Sequence, residues 1–225
     1  MSALIKQQPP SDGIPTHFEA IAQALITQGY CIIPDALISE PDLTQGLFLQ
    51  ASQMPEQAFS MAGIGRQQDH MQNNFVRRDE IHWIDGKTPV EQAWLDWNKR
   101  LQNFLNRRLF LGLFSYESHF AHYRPGAFYK KHMDAFRGEA NRVLTTVFYL
   151  NPSWTTEDGG ELVLYPEHDP DNQNTILEKV MPTFGTMVIF LSEEFPHEVL
   201  PAMRDRYSIA GWFRVNNTEK LDPPR

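Results

Sequence analysis

The sequence predicts a mainly β protein with flanking helices, a double-stranded β-helix of the jelly-roll type supported by N-terminal helices. Three observations carry that reading. Eight short β-type runs follow one another between residues 118 and 213. Turn formers punctuate them, among them Pro152, Gly159, Gly160, Pro170, Pro182, Gly185 and Pro196. Apolar residues at helical spacing are confined to the first half of the chain. Many short strands with regular turn signals suit a closed or double-sheet β architecture, and helices that precede them can cover one sheet.

Taken in order, "THFEAIAQALITQGY" carries apolar residues at helical spacing, starts at a Thr cap and stops near Gly29. "YCIIPDAL" reads as a short strand interrupted by Pro34, and "SEPDLTQGLFLQASQM" as a second helix. "SMAGIGRQQDHMQNNFVRRDEIHWIDG" is polar, glycine-containing and weakly periodic, which predicts a long, mobile, exposed loop at about 60–80 with strands at its flanks. "PVEQAWLDWNKRLQNFLNRRLF" is the clearest helix, with Trp94, Trp97, Leu101, Leu105 and Leu109 as its buried stripe. The β-type runs are then "SHFAHY", "FYKKHMD", "RVLTTVFYL", "GGELVLY", "TILEKVM", "GTMVIFL", "HEVLPA" and "RYSIAGWF". The organisation expected is one domain over 1–225, with 1–114 as helical and strand support and 115–215 as the β-helix core.

Composition narrows the function classes. A length of 225 residues suffices for one sizeable core, and a formal net charge of −8 without a basic stripe argues against a nucleic-acid binder. No apolar run approaches membrane-spanning length, and "MSALIKQQPPSDGIP" lacks the apolar stretch of a secretory signal. Cys31 is the single cysteine, so neither an intrachain disulfide framework nor a multi-cysteine zinc site is available. The expectation is a cytoplasmic monomer.

The chemistry sits in two stretches. In "YRPGAFYKKHMDAF", His132 and Asp134 stand two residues apart, so on a strand they project from one face, away from Lys131 and Met133. In "FPHEVLPAMRDRYSIAGWFR", His197 opens a strand-like run. Two imidazoles and one carboxylate form the facial set that leaves positions of an octahedral iron open for substrate and oxygen. The 63 residues between Asp134 and His197 are no obstacle, because a jelly roll brings an early strand beside a late one. On the last run Arg206, Ser208, Ala210 and Trp212 share one face, and Tyr207, Ile209 and Phe213 the other. An inward guanidinium needs an anion, and its planar fork suits a carboxylate, so an acidic small molecule that chelates the metal would satisfy both.

"YRPGAFYKKHMD", "RVLTTVFYLNPSW", "DGGELVLYPE" and "GTMVIFLSEEFPHEVLPAMRDRYSIAGWF", in that order, closely resemble the iron- and 2-oxoglutarate-dependent prolyl hydroxylases, nearest to the oxygen-sensing animal enzymes and their bacterial relatives. The resemblance covers roughly residues 74–215. It implies that His132, Asp134 and His197 hold Fe(II), that Arg206 and Tyr149 hold the distal carboxylate of 2-oxoglutarate, and that Tyr123 contacts the cosubstrate nearer the metal. It places Arg142 and Trp212 on the substrate side, and Arg78 with Asp79 at the base of the mobile loop. It implies O2 as second cosubstrate, ascorbate as an accessory reductant, succinate and carbon dioxide as products, and a prolyl residue in a protein as target. For a bacterial chain that target is the switch region of elongation factor Tu. Two departures stand out: Ala210 replaces the threonine often found four residues after the arginine, and a regular strand would turn Arg142 and Tyr149 to opposite faces.

Other readings compete. "PEHDPDNQ", with His168 beside Asp169 and Asp171, reads as a solvated loop. His119 and His122 fall on opposite faces of a strand, and His17, His70 and His82 lie outside the barrel pattern. Lys130 and Lys131 read as solvated, Trp83 as core or loop support, and Arg204 competes with Arg206. The alternative functions are a 2-oxoglutarate oxygenase with another target, a non-catalytic cupin-like metal-binding module, and a zinc hydrolase, in which the inward arginine would have no task.

Overall fold

The computed structural model describes residues 17–61, 77–135, 141–168 and 175–216. Most of the segment expected to be a mobile loop, His70, the Thr16 cap and Asp169 to Asn174 lie outside the described residues.

Helix α1 (His17–Gln28) buries Phe18, Ile21, Ala22 and Leu25 on one stripe and leads into strand β1 (Tyr30–Ile33), which ends before Pro34. Helix α2 (Pro41–Gln53) begins with proline in its first turn, where the missing N–H costs nothing. Short β2 (Ser60–Met61) and β3 (Glu80–Trp83) flank the 62–76 segment. Helix α3 (Pro89–Leu109) starts at Thr88, whose side chain accepts the Glu91 N–H at 3.2 Å. Its stripe buries Trp94, Trp97, Leu101 and Leu105 completely. Leu109, expected in that stripe, is only partly buried, because the helix ends there and Phe110 turns left-handed at φ 55°.

The β half comprises β4 (Leu113–Tyr123), β5 (Tyr129–His132), β6 (Arg142–Tyr149), β7 (Leu162–Leu164), β8 (Glu178–Val180), β9 (Met187–Leu191), β10 (His197–Val199) and β11 (Arg206–Val215). A seven-stranded sheet runs β1-β9-β6-β11-β4-β3-β2, and a four-stranded sheet runs β5-β10-β7-β8. Each predicted run contributes a strand, and β4 is longer than its run because Leu113 to Glu117 continue to pair with β11.

Alternation along the large sheet separates its two faces. Phe120, Phe148, Ile209 and Phe213 join Trp94 and Trp97 in the core beneath the helices. Ala121, Tyr123, Val147, Tyr149, Val188 and Phe190 meet Leu162 and Leu164 of the small sheet. The site lies in this second layer. One register break decides what enters it. Phe213 pairs with Leu144 but Arg214 pairs with Arg142, so Val143 is an extra residue in β6. A bulge of this kind reverses the alternation beyond it. Arg142 therefore shares the face of Trp212 and Tyr149, which corrects the regular-strand expectation that it would point the other way.

Gly211 is fixed by close approach rather than by backbone angle. A Cβ there would come within 2.3 Å of the Tyr116 hydroxyl and 2.9 Å of Ser118 Cβ. Gly211→Ala should destabilise the protein by about 1–3 kcal/mol through overpacking between β4 and β11, read as a lower midpoint in urea unfolding at unchanged slope.

Candidate metal centre

His132 closes β5 and His197 opens β10, and the two are direct partners in the antiparallel ladder. Their ring centroids lie 4.3 Å apart. Asp134 lies past the end of β5, so a bend rather than pleat alternation carries it toward the same point. His132 Nε2 is 3.7 Å from Asp134 Oδ1, and His197 Nε2 is 3.6 Å from Oδ2. Those separations are too long for hydrogen bonds and short enough for one cation to bridge. Among the described residues this is the single group of three or more His, Cys, Asp or Glu side chains converging in this way.

The surroundings prepare each donor. His132 Nδ1 lies 2.8 Å from the Lys130 carbonyl and His197 Nδ1 3.0 Å from that of Phe195. An N–H at each Nδ1 satisfies those carbonyls and leaves both Nε2 lone pairs turned toward Asp134. Burial, with His197 beside it, pulls the His132 pKa down to about 3, so that ring is neutral at pH 7. Burial opposes ionisation of Asp134, but His197, His132, the Trp212 indole and the Thr145 hydroxyl outweigh it and lower its pKa to about 2. Thr145 donates to Asp134 Oδ2 at 2.8 Å and is itself 2.9 Å from Ser192. Two imidazole nitrogens and one carboxylate on one side of a point make the facial set suited to iron(II).

Deeper in the layer, Arg206 is 1% exposed. Its Nε donates to the Gly160 carbonyl at 2.8 Å and one terminal nitrogen to Ser208 Oγ at 3.2 Å. The other terminal nitrogen is buried with no hydrogen-bond partner, and so is the Tyr149 hydroxyl. The guanidinium lies 4.9 Å from the Tyr123 ring centre and 5.1 Å from that of Tyr149. Among the described residues no carboxylate pairs with it. A buried cation without a counter-ion is costly by several kcal/mol, so the cavity fits an anion supplied from outside. Burial pushes the Tyr149 pKa up to about 12 against the pull of Arg206, and raises that of Tyr123 as well, so both stay neutral donors. Gly160 makes room: a Cβ there would meet Ala202 Cβ at 2.8 Å and Arg206 Cδ at 3.1 Å, and its φ is +71°.

The residues expected on the substrate side divide. Arg142 lies over the Trp212 ring at 3.8 Å, close to the triad through Trp212. Arg78 lies over Phe128 at 5.0 Å. Asp79 is 1% exposed and its carboxylate is held at both oxygens by Arg77, at 2.5 and 2.7 Å. Its link to the centre runs through Arg77, which lies over Tyr129, the ring stacked on His132 at 3.6 Å. Sequence reasoning missed Arg77, Thr145, Ser208 and Gly160. Arg77 stands two residues before Asp79, and Thr145 shares the parity of Tyr149, so spacing alone could have found both.

The remaining histidines go elsewhere. His122 bonds Asp205 at 2.7 Å on the opposite face of β4, and His168 is exposed. His119 is buried between Trp83 and Trp212, at 5.1 and 5.5 Å. Arg204 covers Trp154 and donates to the carbonyls of Pro152 and Ser153, outside the layer, which leaves the inward position to Arg206.

Comparison with known proteins agrees with this geometry. Residues 118–214 match the 2OG-Fe(II) oxygenase superfamily. A solved Pseudomonas putida prolyl-4-hydroxylase is 35% identical, with a TM-score of 0.76 over 89% of this chain and 100% of that one. A Trichoplax adhaerens prolyl hydroxylase, solved in complex with a peptide fragment of the hypoxia inducible factor oxygen degradation domain, is 28% identical with a TM-score of 0.77 over 92% of this chain and 93% of that one. The Homo sapiens protein Egl nine homolog 1 is 25% identical over 92% of this chain and 49% of its own length. The chain thus spans about half the length of the curated relatives it matches.

Buried, uncharged His119 gives the fold a pH signature. Burial, with Arg77 nearby, lowers its pKa to about 4 from the ordinary 6.5. Its unfolded form binds a proton as pH falls through 6.5 while the folded form does not until about 4, so stability is lost on acidification across that window. Between pH 7 and pH 5 the His119→Gln variant should lose about 2 kcal/mol less stability than the parent, read from urea unfolding at the two pH values.

Proposed function

The chain belongs to the 2OG-Fe(II) oxygenase superfamily and is of the prolyl hydroxylase type, and from that premise we propose that it hydroxylates a prolyl residue presented by a protein. 2-Oxoglutarate and O2 are consumed, and succinate and carbon dioxide are released. The observation that supports this best is the pairing of a two-histidine, one-carboxylate group with a buried guanidinium that keeps one nitrogen without a partner and lies 5.1 Å from the ring of Tyr149, whose hydroxyl is also without one.

Each residue's task follows from its surroundings. His132, Asp134 and His197 would hold Fe(II), which supplies the open coordination positions and the redox chemistry of the family. Arg206 would take the distal carboxylate of 2-oxoglutarate through its unpartnered nitrogen, with the Tyr149 hydroxyl donating to the same group. Tyr123 closes the other side of the guanidinium and, as a neutral phenol, would donate to the cosubstrate nearer the metal. Thr145 keeps Asp134 oriented. Ala210 leaves a small side chain between Arg206 and Trp212, so cosubstrate binding leans on Arg206 and Tyr149. Trp212 and Arg142 would form the wall met by the substrate. Arg78 and the Arg77–Asp79 pair immediately precede β3 and would stand at the base of the loop expected at about 60–80.

A polypeptide target is favoured over a small molecule because the related Trichoplax enzyme was solved with a peptide. The switch region of elongation factor Tu is the first protein to test if the chain is bacterial. No helix among the described residues is long and apolar enough to cross a membrane, in keeping with a cytoplasmic site of action.

Anaerobic loading with Fe(II) and 2-oxoglutarate, admission of air, and mass spectrometry of candidate proteins should reveal a single added oxygen on proline, absent from proline-to-alanine targets. His132→Ala and Asp134→Ala should abolish succinate release and weaken Mn(II) binding while the chain stays folded. Undiminished succinate in either variant refutes the ligand assignment. Arg206→Ala removes a charge-assisted contact of about 1.5–3 kcal/mol, so the 2-oxoglutarate concentration for half-maximal turnover should rise roughly ten- to hundredfold. An unchanged requirement would remove the carboxylate role.

A further inference from the structure

The outer end of the inter-sheet layer carries a charge arrangement that the reaction itself does not need. Arg214 stands directly opposite Arg142 across the β11–β6 ladder. Like charges in that position repel, so the pair is retained against a local cost. Glu117, opposite Trp212 on β4, lies between them. One of its oxygens pairs with Arg142 at 3.2 Å and the other with Arg214 at 2.8 Å. One carboxylate therefore serves two guanidiniums, and the group keeps a formal charge of +1 on a chain of net charge −8.

The two arginines are not equivalent. Arg142 lies over the Trp212 ring, its guanidinium carbon 3.8 Å from the ring centre, so it is engaged there. Arg214 spends one terminal nitrogen on Glu117, while its Nε is buried without a hydrogen-bond partner. Both arginine side chains and Glu117 remain about one-third exposed, at 29%, 34% and 29% for Arg142, Arg214 and Glu117. The bulge at Val143 is what turns Arg142 onto this face at all. The cluster is thus held by the sheet itself, and about a third of the Arg214 side chain faces solvent, its charge paired only with a carboxylate that Arg142 shares.

We infer that Arg214, splayed beside Arg142 by Glu117, reads a carboxylate side chain of the polypeptide substrate. This rests on the reading that the site takes a prolyl residue of a polypeptide. Arg214 lies two positions beyond Trp212, or ~7 Å further along the strand, and an extended peptide covers that distance in about two residues. The acidic residue recognised therefore stands two or three positions from the target proline. A lysine there is rejected, because both Glu117 oxygens are already engaged and the residual charge is positive.

Binding rather than turnover tests this. The protein is loaded with Mn(II) and 2-oxoglutarate without oxygen. Fluorophore-labelled, C-terminally amidated peptides carry one proline in a Gly/Ser background, with Glu, Gln or Lys two or three residues to either side. Anisotropy titrations at ~0.05 M salt should show the Glu peptide of one series binding roughly tenfold more tightly than its Gln isostere, with the gap shrinking at ~0.5 M salt. Arg214→Gln should erase the gap, Arg214→Lys should keep part of it, and Arg214→Glu should invert it in favour of Lys. Circular dichroism at matched temperature confirms that each variant is folded. Equal affinity for Glu and Gln peptides, failure of every Glu peptide to bind, or a gap that survives Arg214→Gln would overturn the inference. A charge-dependent gap, with no hydroxylation of the same peptides by separately prepared Fe(II)-loaded protein in air, would instead count against the prolyl hydroxylase reading.

Discussion

A guanidinium buried between two β-sheets with no protein anion beside it is the constraint around which the rest of the site is arranged. Arg206 is 1% exposed, and its partners are a carbonyl, a hydroxyl and two aromatic faces, all uncharged. These soften the desolvation cost without cancelling the charge. The remaining demand is for a carboxylate of small size. Gly160 is small because a Cβ there would strike Ala202 and the Arg206 side chain. On the function proposed, the distal carboxylate of the cosubstrate would be the missing counter-ion of this cavity.

The triad meets a related constraint by opposite means. Its two imidazoles are turned by backbone carbonyls so that Nε2 of each faces inward, and its one carboxylate is kept ionised by those rings and by hydrogen bonds. A cation is then the natural complement of the triad and a dianion of the deeper cavity. Register links the two halves: His132 pairs with His197 in the small sheet, and Arg206 pairs with Tyr123 in the large one.

Much of this was legible in the chain. The β runs, the long helix and the convergence of His132, Asp134 and His197 follow from spacing and turn residues, and the inward face of β11 from strict alternation. What escaped was whatever depends on a departure from regularity. Asp134 reaches the metal group through a bend past the end of β5. Arg142 reaches the site face through one extra residue in β6, and a bulge leaves no signature in a run as uniformly β-forming as "RVLTTVFYL". Arg77 and Thr145 escaped for a different reason: spacing puts Arg77 beside Asp79 and Thr145 on the face of Tyr149, but what makes them matter is contact with Tyr129 and Asp134 of another segment, which only the fold supplies.

The same strand also explains why recognition and chemistry are kept apart. Along one face of β11, Arg206 is sealed from solvent, Trp212 sits beside Asp134, and Arg214 is about one-third exposed. The effective dielectric rises along that line, so a charge at the inner end binds strongly and a charge at the outer end binds weakly and reversibly. A cosubstrate that must be held through the reaction belongs at the first position. A polypeptide that must dissociate after each turnover belongs at the second. Glu117 offsets the repulsion between the outer arginines by pairing with both, and because one carboxylate balances only one of the two charges it leaves a positive field that selects among substrates without trapping them.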